Sequence, residues 1–163
     1  MSIKDGIIAE LKHETNNTKR ILNNLNQDHW TWKPHEKSMS VGELAIHIVE
    51  LHSWVAGAAD KDVFDFHVDY KPMGNYNLDE LKAMLDENLQ KNIDFVNSKD
   101  EAFWLQDWTL KAGDNVISQL PRIGAVRYII TNHLIHHRGQ LTVYMRMLDL
   151  PLPGIYGPSA DEK

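Results

Sequence analysis

Apolar residues recur at three- and four-residue intervals over four separate stretches of this chain, and the four together take up most of its 163 residues. That spacing gathers the apolar side chains of each stretch onto one face of an α-helix. Such a chain buries its apolar surface by packing those faces against one another, so the pattern predicts an all-α helix bundle in a single domain covering residues 1–163. The length allows one real core and gives no case for two.

The first helix is expected roughly from Ile3 to Leu25, with Ile7, Leu11, Thr18, Leu22 and Leu25 along its stripe. The second opens at Ser40, where Ser40-Val41-Gly42-Glu43 fits a capping box, and carries Leu44, Ile48, Leu51 and Val55. Asn77, with Glu80 in the reciprocal position, caps the third, whose stripe is Leu78, Leu81, Leu85, Leu89, Ile93 and Val96. The fourth starts near Pro121 and runs to about Leu148, with Pro151 and Pro153 to stop it. Its stripe is Val126, Ile130, Leu141, Tyr144 and Leu148, and it passes through positions 133 and 137.

Two connections stand out. Asp60 to Tyr76 is a long aromatic crossover between the second and third helices, of the kind that is functional or wraps a bundle. Trp104–Leu110 and Asn115–Leu120 flank Gly113-Asp114 and read as a short hairpin. Trp30 and Trp32 are expected to pack against helix ends.

The charged residues, 17 Lys plus Arg against 23 Asp plus Glu, include no basic stripe, which argues against nucleic acid as a partner. No apolar run is long enough for a membrane span or a secretory signal, so a soluble, cytoplasmic protein with no membrane partner is expected. There is no cysteine. Disulfides, thiolate ligands and a cysteine nucleophile are therefore all excluded, and any sulfur chemistry must use an external thiol.

Nine histidines are present. His133 and His137 sit four residues apart, which places them on one helix face about one turn from each other and able to chelate one ion. His47, between Leu44 and Leu51 on the apolar side of the second helix, is the natural third ligand, better placed than His52. His136 falls off the stripe. Three imidazoles leave a coordination position open, as a catalytic metal requires, whereas structural zinc sites are closed by four protein ligands. Nine histidines in a chain of this length would give roughly half a His-x-x-x-His pair by chance, so spacing alone leaves satisfied core histidines as the rival reading. Leu134 stands where a His-Glu-x-x-His protease has its general base.

Asp28-His29-Trp30-Thr31-Trp32-Lys33-Pro34, Ser38-Met39-Ser40-Val41-Gly42-Glu43-Leu44 with His47, and His133-Leu134-Ile135-His136-His137-Arg138-Gly139-Gln140-Leu141 resemble the DinB and YfiT-like superfamily of metal-dependent enzymes. The resemblance runs nearly end to end. It implies a four-helix bundle of up-down-down-up topology with a long second crossover, His47, His133 and His137 as metal ligands, and a homodimer. Members of known reaction are S-transferases or isomerases that use a low-molecular-weight thiol such as bacillithiol or mycothiol.

Other residues have paired readings. Glu50, one turn from His47, either orients its free ring nitrogen, joins the metal as a fourth ligand, or lies on a solvated face. Arg138 either holds an anionic substrate or a thiol cofactor's carboxylate, or forms a surface ion pair. Gln140 either bonds near the site or sits at the bundle edge. Tyr156 either brings a hydroxyl over the metal pocket or belongs to a surface tail. The leading expectation is a thiol-dependent S-transferase acting on a small molecule through a divalent metal, zinc or nickel ahead of iron or manganese. The alternatives are a hydrolase using metal-activated water and a non-catalytic, stress-associated metal-binding or dimerisation protein.

Overall fold

The computed structural model describes residues 2–162. In chain order the elements are α1 (Ile3–Asn23), α2 (Val41–Ala58), β1 (Val63–Asp65), α3 (Leu78–Ser98), α4 (Glu101–Leu105), β2 (Asp107–Ala112) and β3 (Asn115–Pro121). The last long helix, α5, is continuous over 122–147 but changes its winding. It begins as an α-turn (Arg122–Gly124), widens to a π-helix (Ala125–Thr131) and continues as α-helix (Asn132–Met147).

Side-chain pairs fix the helix directions. Asn88 donates to the Val49 carbonyl and Asn92 to the His52 carbonyl, so α2 and α3 run parallel. Lys19 meets Asp86 and the Ile3 amide meets Glu101, so α1 runs against α3. Glu10 pairs with Arg127 and Glu14 with Arg138, so α1 and α5 run together. The result is an up-down-down-up four-helix bundle, in which the parallel α2 and α3 require the long crossover between them.

Each long helix starts where local chemistry satisfies its first amides. Ser40 and Glu43 form the expected capping box, as do Asn77 and Glu80, and Ser2 with Asp5 forms a third. Replacing such a cap typically costs about 1 kcal/mol. Ile7, Leu11, Ile21 and Leu22 of α1, Leu44, Ile48, Leu51 and Val55 of α2, and Leu81, Leu85 and Val96 of α3 are buried in one core cluster.

Two stripes differ from the spacing-based expectation. The centre of α3 is held by buried Asn88 and Asn92, while Leu89 and Ile93 are half-buried. The two amides belong there because their NH2 groups reach α2 carbonyls, and Asn92 also accepts the Ala56 amide at 3.0 Å. On α5 the buried face is Val126, Ile130, Leu134, Arg138, Leu141 and Met145. Tyr144 and Leu148 lie at its edge, because the π-turn rotates everything after it.

The hairpin also differs in detail. Trp104 lies in α4, buried, because Asp100 caps that short helix by accepting the Phe103 amide. The two strands β2 and β3 turn at Gly113, whose φ of +60° suits the first loop position of a II′-type turn. The crossover contributes β1, which pairs parallel with β2 and makes a three-stranded sheet of order β1-β2-β3. Phe64, Phe66 and Tyr70 of the crossover surround Trp54 of α2 at centroid distances of 5.5, 5.8 and 5.7 Å. The crossover therefore wraps the bundle and is docked on an aromatic cluster rather than looped into solvent.

The interior between α1, α2 and α5 is polar. Arg138, 2% exposed, donates to the Glu14 carboxylate and carbonyl and to Thr18, and its guanidinium also reaches the Tyr156 hydroxyl at 2.7 Å. His52 sits beside this pair, 3.0 Å from Thr18 Oγ1. Burial, reinforced by the Arg138 charge, lowers its pKa to about 3. An unfolded histidine titrates near 6.5, so between about pH 6.5 and 3 the unfolded chain binds a proton that the folded chain refuses. Stability should therefore fall as pH drops through that window, approaching about 1.4 kcal/mol per pH unit at its centre. Urea unfolding at several pH values should show a shallower dependence for His52→Gln than for the wild type.

Trp30 lies flat on the first turn of α2, and a Cβ at Gly42 would fall 2.5 Å from its Nε1. The indole cannot yield without leaving the helix end it covers. Gly42→Ala should destabilise the fold by about 1–3 kcal/mol as an overpacked site. Gly139→Ala, where nothing lies within 4 Å, should stabilise it by about 0.5–1 kcal/mol. Thermal or denaturant unfolding of the two variants checks the opposite signs.

Candidate metal centre

α2 and α5 face each other such that His47 meets His133 and His137, with ring centroids 5.2 and 4.8 Å apart. One ring nitrogen from each of the three lies within 4.8 Å of the others. All three rings are half-buried. The Nε2 atoms of His133 and His137 are 2.8 Å apart.

The outer edge of each ring is held by an acceptor. His47 Nδ1 lies 2.9 Å from Glu50 Oε2, and His137 Nδ1 lies 2.7 Å from Gln140 Oε1. For His133 the neighbouring acceptor is the Ile129 backbone in the π-helical stretch, which raises its pKa against the larger effect of burial. In the same stretch Thr131 Oγ1 donates to the Val126 carbonyl at 3.1 Å.

A neutral imidazole has one N–H, and an acceptor on one nitrogen fixes the tautomer with the lone pair on the other. Here the acceptors lie outside the cluster, so three lone pairs converge inside it. Two such lone pairs at 2.8 Å repel unless something positive lies between them. Protonation is a poor answer: burial first, then the neighbouring His137 and His47, lower His133 to about 4, and burial also lowers His137. The donor set therefore fits a divalent cation, and three imidazoles leave a coordination position free.

Glu50 is 4% exposed and carries more than His47. Its Oε1 accepts the Met73 amide at 2.9 Å and its Oε2 the Tyr70 hydroxyl at 3.2 Å. Burial raises its pKa, but the hydrogen bonds from His47, Met73 and Tyr70 outweigh that and keep it below the usual carboxylate value. Burial and the adjacent carboxylate raise Tyr70. One buried anion thus orients His47 and pins the crossover beside it. Between α2 and the crossover is a cleft of about 330 Å³ whose lining includes His47, Glu50, Tyr70 and Met73.

Two residues with one reading near the site lie elsewhere. Arg138 follows His137 in the chain, but one residue is about 100° of helix, which turns the guanidinium inward to Glu14. Its ion pair is buried, not at the surface. Tyr156 follows Arg138 there: its hydroxyl donates to Glu14 at 2.8 Å, and burial, then that contact, raises its pKa to about 12. It offers no hydroxyl to the triad. His52 and exposed His136 are also outside the triad. Tyr70, Met73 and Ile129 had no signal in the sequence, two of them acting through backbone groups that any residue carries.

The second and last long helices of a four-helix bundle thus bring together three histidines able to hold one metal ion. The DinB family model matches residues 1–163, and the chain belongs to the DinB family. Over 158 residues it is 27% identical to the uncharacterized protein YrdA of Bacillus subtilis (strain 168), covering 97% of this chain and 90% of that protein. The fold is similar to that of a DinB-like protein, YjoA, from B. subtilis, with a TM-score of 0.71 at 19% identity over 94% of this chain and 99% of that one. A DinB-like protein from Bacillus cereus ATCC 10987 aligns with a TM-score of 0.70 at 20% identity, over 93% and 97%. Among the described residues no helix is long and apolar enough to cross a membrane.

Glu50→Gln removes the anion while keeping a side chain of the same shape. It should weaken binding of zinc or nickel by roughly 10–100-fold, the usual cost of losing a partner that orients a ligand. Calorimetric titration of the metal-free protein reads this directly.

Proposed function

We propose that this protein is a metal-dependent S-transferase that joins the sulfur of a low-molecular-weight thiol to an electrophilic small molecule. The observation that carries the reading is the convergence of three imidazole lone pairs from His47, His133 and His137, with the outer ring edges held by Glu50, Ile129 and Gln140. A divalent cation bound there, zinc or nickel ahead of iron or manganese, supplies Lewis acidity that lowers the pKa of a thiol.

The chain's own residues orient and exclude. Glu50 and Gln140 keep the outer protons of His47 and His137 in place, so their inner nitrogens stay free as donors. Tyr70 and Met73, held by Glu50, form one wall of the adjoining cleft. In the overall reaction the thiol proton passes to solvent and a sulfur–carbon bond forms. The bond to the leaving group breaks, and that group departs with its electron pair. The absence of cysteine is consistent with a sulfur nucleophile brought from outside. The homodimer implied by the family resemblance is part of this reading.

Hydrolysis at the same centre needs a free general base. Glu50 is the carboxylate beside His47, and its oxygens already accept three hydrogen bonds. Leu134 occupies the position of the zincin glutamate. Both points favour transfer over hydrolysis.

Metal analysis of purified protein should give about one divalent ion per chain, with His47→Ala, His133→Ala and His137→Ala each losing it while remaining folded by circular dichroism. A folded wild type that takes up no metal would leave a non-catalytic protein. Turnover of an electrophile such as chlorodinitrobenzene should require added thiol, and turnover that ignores thiol would point to the hydrolase instead.

A further inference from the structure

The side chain expected to hold an anion at this centre, Arg138, is committed to Glu14 on the far side of α5. Among the described residues, no lysine or arginine lines the cleft beside His47. The cleft beside His47 is walled by Met39, Ile46, Pro72 and Met73 with the Tyr70 ring, and its only charged side chains are the carboxylates Glu43 and Glu50. Lys33, whose charge reaches Glu43, donates its Nζ to the Glu36 carbonyl at 3.0 Å and is not part of the lining. Lys71, between Tyr70 and Pro72 in the chain, lines a separate pocket beside Trp54.

The two carboxylates differ in depth. Glu50 is buried and balanced by three hydrogen-bond donors, whereas Glu43 is exposed at the first turn of α2, accepting the Ser40 amide at 2.7 Å. Glu43 is one helical turn before His47. A molecule whose sulfur is directed at the triad, lying along this cleft, presents its other end to an apolar wall and a negative rim.

We infer that the cleft between α2 and the crossover receives the body of the substrate thiol, and that it selects molecules whose far end is neutral or cationic over those ending in a carboxylate. This rests on the proposed thiol chemistry and adds the substrate class. The selection acts on the end remote from sulfur. Charge repulsion from one exposed carboxylate across a cleft of this size amounts to a discrimination of roughly tenfold.

The test uses full-length protein loaded with cobalt(II), whose visible spectrum changes when sulfur binds. Three thiols of equal chain length, mercaptohexanol, mercaptohexanoate and aminohexanethiol, place their differing groups too far from sulfur to alter its acidity. Mercaptohexanoate should bind roughly tenfold more weakly than mercaptohexanol, and aminohexanethiol at least as tightly. Glu43→Gln keeps the capping box, which accepts Gln as well as Glu, and should bring mercaptohexanoate to within about threefold of mercaptohexanol. Met73→Lys, on the opposite wall, should make mercaptohexanoate the tightest of the three. Equal affinities in the wild type, or a carboxylate preference, would overturn the inference while leaving the metal centre intact. Failure to take up cobalt at all would remove the metal reading and this inference with it.

Discussion

The buried contact between Glu14 and Arg138 sets the bundle around its histidine cluster. A charge pair removed from water is costly unless its remaining donors and acceptors are satisfied. Here the Glu14 carbonyl, Thr18 and the Tyr156 hydroxyl complete the shell. A pair so fully surrounded admits one rotational setting of α5 against α1. Arg138 is next to His137, so fixing the guanidinium inward also fixes the histidine about 100° away, toward α2. The polar contact between the first and last helices thereby aims His137 at His47, which belongs to neither. His52 stays neutral in the same interior, where a second positive charge beside Arg138 would be unpaired.

Much of this was legible in the sequence because it depends on periodicity. The four long helices and the caps at Ser40 and Asn77 follow from which residues share a helix face. The four-residue spacing puts His133 and His137 on one face, although the buried stripe itself runs through Leu134 and Arg138. Periodicity treats a polar residue as a break in the stripe, and this is where it misled. Asn88, Asn92 and Arg138 are interior because each finds a partner on a neighbouring helix, and such pairings are invisible along a single strand of text. The same limit left Arg138 and Tyr156 each with a reading near the site beside one away from it. β1 was missed because three residues are too few to show a period, and its pairing with β2 spans more than forty positions.

The centre itself depends as much on acceptors as on ligands. Glu50 is a charged acceptor, Gln140 a neutral one, and Ile129 a backbone group. The three rings are therefore oriented by partners of different charge although all are histidines. Because Glu50 also holds Tyr70 and Met73, the crossover cannot move without disturbing the hydrogen bond that orients His47.

The π-helical stretch in α5 gives this arrangement a history as well as a shape. A π-turn accommodates one residue more than the α-helix it interrupts, and each residue turns the helix by about 100°. Everything from Asn132 onward, His133, His137 and Arg138 included, is phased by that surplus residue. The bundle's first and second halves thus read the same helix in two frames. A one-residue deletion within 125–131 would regularise the backbone hydrogen bonding, yet present the wrong face of α5 to α1 and α2 at once. Local helical perfection and a working interior exclude each other in this chain, and the fold keeps the irregular turn.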